Sequence, residues 1–238
     1  MPGPDVSHRQ KQDVLLVTCF EPFGGDTLNS SQAVAQALHG QVIGGLTVVA
    51  VVLPCVFATA PVVLKQALEQ WQPRLVLALG QAAGRAELSL ERVAINCIDA
   101  PIADNAGGQP TDVQIVEGGP PAYFTTLPVK AMVSAMRQAG VPAGLSNSAG
   151  TFVCNQVFYC LQHQLASARP SVPSGFMHLP LLPEQAVEHA DGCDSTRQLP
   201  SLPLQQMLNG VQLALTQAVA MLKCTEVALA LPLSTGLH

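Results

Sequence analysis

The feature that most constrains this chain is the alternation of short apolar runs with segments of helical period. Residues 14–18, 46–53 and 75–79 are strand-length runs rich in Val and Leu, closed by turn residues such as Gly80. Between them, residues 30–39 and 60–71 space their apolar positions as helices do, with Gly40 behind the first and Pro73 behind the second. Ser30 or Ser31 is placed to cap the first of these helices. Such alternation predicts an α/β chain: one open, mostly parallel, twisted sheet with helices on both faces.

The second half is less regular. Residues 86–99 alternate as a strand, with antiparallel pairing an option, and residues 101–117 form a Gly/Pro/Asp/Asn loop too long for a plain connection. Thr126 is predicted to cap a helix over 127–139, with Pro128 in its first turn. A short strand at 144–148, a helix over 155–166, a strand at 176–179 and a long amphipathic helix over 201–223 follow. In an open sheet of this kind, sites gather at the carboxyl ends of strands. The turns after Thr18, Leu79 and Ser148 and the end of the strand carrying His178 are therefore expected to be neighbours.

Composition removes several function classes. The 238 residues suffice to bury a core without staples. A net charge of -5 with scattered Lys and Arg argues against nucleic acid as a partner. No apolar run approaches the roughly eighteen residues of a membrane span. The seven cysteines form no CxxC, which fits free thiols in a reducing compartment, and Cys/His spacing offers no zinc pattern. Residues 1–12 are polar and lack the apolar stretch of a secretory signal. They read as a disordered extension ahead of a single domain over 13–238, and the expected location is the cytoplasm.

Three residues could carry chemistry. Cys154 lies at a helix start, where unpaired N–H groups and the helix dipole favour a thiolate; its bland alternative is a buried core thiol. Cys160, inside the same helix, reads as core. His178 interrupts an apolar strand, so it needs a partner or a pocket. Glu91 sits among strand-forming residues, and a surface ion pair with Arg92 is its ordinary reading. A cysteine nucleophile needs an imidazole base, and that base needs an orienting group. Periodicity alone does not bring these three together. The glycine turns at Gly24-Gly25 and Gly80 to Gly84 match no phosphate-binding motif and have no lysine nearby.

Ordered motifs supply the link. Val17 to Gly25 with Asn29 beyond, Gly80 to Arg85 followed by Glu91 to Asn96, Asp104-Asn105 with Gly108 to Pro110, Ala149 to Asn155, and His178 to Gln185 resemble, in order, the motifs of the pyroglutamyl peptidase I (pyrrolidone-carboxylate peptidase) family. The resemblance spans about residues 14–223. It implies a three-layer α/β/α sandwich of the phosphorylase/hydrolase-like kind, with Glu91, Cys154 and His178 as the catalytic triad. It also implies action without metal or cofactor, and often a homotetramer. Phe20, Phe23, Asn29 and Gln81 match substrate-pocket positions, and the implied substrates are peptides beginning with pyroglutamate. That residue is a neutral lactam, so a pocket needs apolar walls and amide-type partners; the two phenylalanines and Gln81 have that chemistry.

The chain also departs from the family pattern. Cys19 and Ala83 each replace a glycine. Pro101 and Ala103 stand in Asp99 to Asn105 where the family usually has Arg and Pro. Loss of a guanidinium and of a stiffening proline implies weakened activity. A low-turnover binding protein on the same fold is one rival reading, and a nucleoside phosphorylase-like enzyme is a second, disfavoured by the missing basic phosphate cradle.

Overall fold

The computed structural model describes residues 13–192 and 199–230. The extension at 1–12 lies outside the described residues. Four parallel strands form the middle of a seven-stranded sheet: β3 (Leu46–Leu53), β1 (Val14–Phe20), β4 (Leu75–Gln81) and β9 (Ser174–Leu179). Beyond β9 comes β5 (Leu88–Glu91), antiparallel to it, and then β8 (Ala143–Ser146), parallel to β5. The other edge is β2 (Val42–Ile43), antiparallel to β3. A separate hairpin pairs β6 (Val93–Ile95) with β7 (Ala122–Phe124).

Side chains alternate across a strand, and this divides the core in two. Leu15, Val17 and Cys19 of β1, Leu75, Leu77 and Leu79 of β4, Leu88 and Leu90 of β5, and Met177 and Leu179 of β9 pack on one face. There they meet α1 (Ser30–Leu38), α3 (Val129–Gln138) and α6 (Leu204–Ala230). Leu16 and Phe20, Val76 and Ala78, and Phe176 pack on the other, against α2 (Ala60–Trp71) and α4 (Val153–Ala168). The short α5 (Pro183–Gly192) follows β9. The result is the three-layer sandwich, with a mixed sheet.

Several local expectations are corrected. Asn29, not Ser30 or Ser31, caps α1 by accepting from the Ser31 amide. The strand expected over 86–99 is two, because the chain leaves the main sheet after Glu91 and enters the hairpin. Thr126 does not cap α3. Its hydroxyl instead receives the Ser174 amide at 2.8 Å, tying the helix approach to the start of β9. The short β2, β7 and α5 carry too little periodicity to be foreseen. Among the described residues, no helix is long and apolar enough to cross a membrane.

Candidate active site

Strand register assembles the site. Gly80 of β4 and Ser89 of β5 both pair with His178 of β9, and Glu91 pairs with Phe176. Since Leu88 and Leu90 point to the α1/α3/α6 face, Ser89 and Glu91 point to the α4 face. His178 reaches the same face because Met177 and Leu179 point away. Glu91 and His178 thus meet on one surface of the sheet: Nδ1 of His178 lies 2.8 Å from Oε1 of Glu91. A carboxylate only accepts, so Nδ1 is the donor and Nε2 of the neutral ring is the free acceptor. Both residues are buried.

Cys154 is the second residue of α4 and is half-buried. Only three of the four turns expected to converge follow parallel neighbours; β8 runs the opposite way, so Cys154 does not arrive by the carboxyl-end rule. It arrives because α4 packs on the sheet face where Gly80 has no side chain. A Cβ at Gly80 would lie 2.9 Å from Sγ of Cys154 and 2.7 Å from Cζ of Phe176. The Phe176 ring in turn lies 4.8 Å, centroid to centroid, from the His178 ring. Asn155 anchors this end of α4: its Oδ1 receives the Ile95 amide at 3.0 Å, and its Nδ2 donates to the carbonyls of Ile95 and Cys97. Gly150 turns the chain into the helix with φ of 77°, a left-handed conformation that suits glycine.

The electrostatics revise one expectation. Burial pushes the Cys154 thiol well above its ordinary range, Cys55 and Glu91 push it further, and the Arg85 guanidinium pulls it back. The helix start therefore does not hold a resting thiolate against desolvation. Burial likewise holds His178 below its ordinary pKa, against the hydrogen bond and charge of Glu91, which act upward; Arg85 adds to the lowering. The resting pair is a thiol and a neutral imidazole, the form in which His178 can take the thiol proton. Cys160 is buried in the α2/α4 core, as expected.

The ordinary reading of Glu91 as a surface partner of Arg92 is wrong. Glu91 is fully buried and pairs with Arg85, whose Nη2 lies 2.9 Å from Oε1. Arg92 donates to Asn147 instead.

The pocket candidates divide. Phe20 is buried against Phe176, with ring centroids 6.4 Å apart. Phe23 is half-buried and packs on Phe152, the residue before α4, which packs edge-on against Phe57. Asn29 and Gln81 are engaged within the protein. Asn29 receives the Ser31 amide and hydroxyl and donates to the Glu21 carbonyl. Oε1 of Gln81 receives the Ser30 amide at 2.8 Å and Nε2 of Gln185 at 2.9 Å, while its Nε2 donates to Asp26. Both carbonyl lone pairs of Gln81 are therefore in use.

The Asp99 to Asn105 segment is pinned despite Ala103. Asp104 receives the amides of Phe57, Ala106 and Gly108, and Asn105 donates to Glu21 and to the Pro22 carbonyl. Thr151 holds Asp99 by two bonds, which places this loop beside the approach to Cys154. Pro101 itself is exposed. Gly80, Arg85, Phe176, Asn155 and Gln185 were missed as site builders. The quoted motifs contain Gly80, Arg85, Asn155 and Gln185 without giving them roles, and period two puts Phe176 on the face of His178.

A cavity of about 620 Å³ lined by Lys130, Val133, Ser134, Arg137, Gln138 and Leu145 contains no residue of the triad. Among the described residues, no group of three or more His, Cys, Asp or Glu could hold a metal ion.

Comparison with known proteins identifies the family and the fold. A family model described as pyroglutamyl peptidase matches residues 13–221. The pyrrolidone-carboxylate peptidase of Yersinia pestis (strain Pestoides F) is 48% identical over 205 residues, which is 86% of this chain and 92% of that protein. Among solved structures, pyroglutamyl peptidase I of Bacillus amyloliquefaciens superposes with a TM-score of 0.82 at 38% identity, covering 87% of this chain and 97% of that one. The pyrrolidone carboxyl peptidase of Pyrococcus furiosus gives 0.83 at 40% identity, covering 87% and 99%.

Proposed function

The chain belongs to the pyroglutamyl peptidase family and is a cysteine exopeptidase that removes N-terminal pyroglutamate from peptides, and we propose that Cys154, His178 and Glu91 carry out that hydrolysis within a single domain. The observation that carries the assignment is the Glu91–His178 hydrogen bond of 2.8 Å beside the first turn of α4.

In this mechanism, Nε2 of His178 takes the thiol proton as Sγ of Cys154 attacks the pyroglutamyl carbonyl carbon. The charge that develops on the carbonyl oxygen is met by N–H groups of the uncapped first turn of α4. The C–N bond then breaks, and His178 gives its proton to the leaving amine. Water attacks the thioester, His178 again accepts a proton, and pyroglutamate leaves with the thiol restored. Glu91 fixes the tautomer and steadies the imidazolium throughout.

Phe20 and Phe23 supply apolar walls for the lactam ring. Asn29 and Gln81 serve the same pocket by bracing it, since the first caps α1 and the second joins the β1 turn to α5. The absence of an arginine at Pro101 lowers turnover, and the working form is a cytoplasmic homo-oligomer, in line with the tetramers common in the family.

The test is hydrolysis of a pyroglutamyl amide reporter by the reduced protein and by Cys154→Ser. Turnover that the substitution abolishes supports the reading. Tight reporter binding without turnover in the unsubstituted chain would favour the binding-protein alternative.

A further inference from the structure

The buried Glu91 carboxylate has a second partner that the triad leaves unexplained. Arg85, in the turn between β4 and β5, approaches the same oxygen that receives the His178 Nδ1 proton, at 2.9 Å. Its Nη2 also donates to the Ser148 carbonyl at 3.3 Å, on the segment leading to Cys154. Oε2 of Glu91 is buried without a hydrogen-bond partner among the described residues. An ionised carboxylate in such a place needs a paired cation.

We propose that Arg85 is a positioning residue for the hydrolysis, pairing with the Glu91 carboxylate to keep it aligned on His178 while tying the Cys154 approach to the same point. The inference rests on the triad reading and deepens it.

A charge count supports it. At rest the site holds Glu91 and Arg85 charged, with His178 and Cys154 neutral. Proton transfer from Cys154 to His178 adds one charge of each sign, so the site stays balanced. Without Arg85, both stages carry an uncompensated buried negative charge. The groups that face Glu91 are His178 from β9, Cys154 from α4 and Arg85, with the uncharged Ser146 beside it on β8. Cys55, after β3, faces Cys154 and is itself pushed up to about 12 by burial, Glu21 and Asp104, so it stays neutral.

The expected pH effect has a definite sign. Arg85 lowers the pKa of both Cys154 and His178. If it is removed while Glu91 stays ionised, His178 protonates at higher pH and can no longer accept the thiol proton there. Removal of Arg85 therefore moves the acid limb of kcat/KM upward.

The experiment compares Arg85→Gln, Arg85→Met and Arg85→Lys with the unsubstituted chain, following reporter kcat/KM and Cys154 carboxamidomethylation against pH, with thermal melting as the check on folding. Two neutral variants are used so that one misfolded protein does not remove the test. The neutral variants should lose about tenfold or more in kcat/KM. Their acid limb should move up by on the order of one pH unit, and their alkylation should become slower at a given pH. Lysine should restore the limb. An unmoved limb in a folded neutral variant, or a lysine variant shifted as far as glutamine, would overturn the proposal. The control separates the two readings: unsubstituted turnover that survives modification of Cys154 sinks the triad itself, whereas normal inhibition with an unmoved limb sinks only Arg85.

Discussion

The sulfur of Cys154 occupies the space that a side chain on Gly80 would need, 2.9 Å from the position of its absent Cβ. Gly80 is also the register partner of His178, so this one position sets the spacing of sheet, nucleophile and base. Alanine there must displace Sγ or the Phe176 ring. Gly80→Ala should cost about 1–3 kcal/mol in chemical denaturation and lower kcat more than it raises KM. A variant with unchanged stability and turnover would show that the contact is not constraining.

Replacing Glu91 by glutamine keeps the shape and removes the charge. The amide can present N–H to His178 and so favour the wrong tautomer, as well as leaving Arg85 without its counter-ion. Reporter kcat/KM should fall on the order of a thousandfold or more, with the chain still folded by circular dichroism. A loss below tenfold would demote Glu91 from its orienting role.

Acid should destabilise the chain through His178. Its folded pKa lies below the unfolded value of about 6.5, so between the two values the unfolded state binds more protons. Stability from this group is present above the unfolded pKa and is lost as pH falls toward the folded one. The melting temperature should drop between about pH 7 and 5, and His178→Gln should flatten that part of the curve. Identical slopes in the two proteins would contradict the shift.

Pro101 lies in a loop whose neighbours are already fixed by Asp104, Asn105 and Thr151. An arginine there should find a preset backbone and add charge beside the nucleophile. Pro101→Arg is expected to raise kcat/KM severalfold, and equal or lower activity would mean that the proline costs nothing.

Most of the layering was visible in the sequence because strand and helix periods are local. The runs at 46–53 and 60–71 match β3 and α2 to the residue. The mixed sense of the sheet was not visible, since pairing of β5 with β9 is decided by contacts some ninety residues apart along the chain. At the site, residue types and motif order were enough to nominate Cys154, His178 and Glu91. Arg85 stood inside the Gly80 to Arg85 motif, but neither the motif nor its place at the end of a glycine turn gave it a role. Gln81 and Asn29 read from sequence as pocket amides, and the packed structure adds that each carbonyl oxygen already accepts two hydrogen bonds within the protein. The helix-start argument for a thiolate was physically sound but incomplete, because sequence does not report the desolvation of Cys154.

Alkylation mapped against activity tests the central assignment most directly. The reduced chain would be titrated with iodoacetamide, the modified cysteines quantified by peptide mapping, and residual reporter turnover read from the same samples. Turnover should vanish in step with modification of Cys154 and be independent of the exposed Cys224. Persistent turnover in protein whose Cys154 is fully modified would contradict the account.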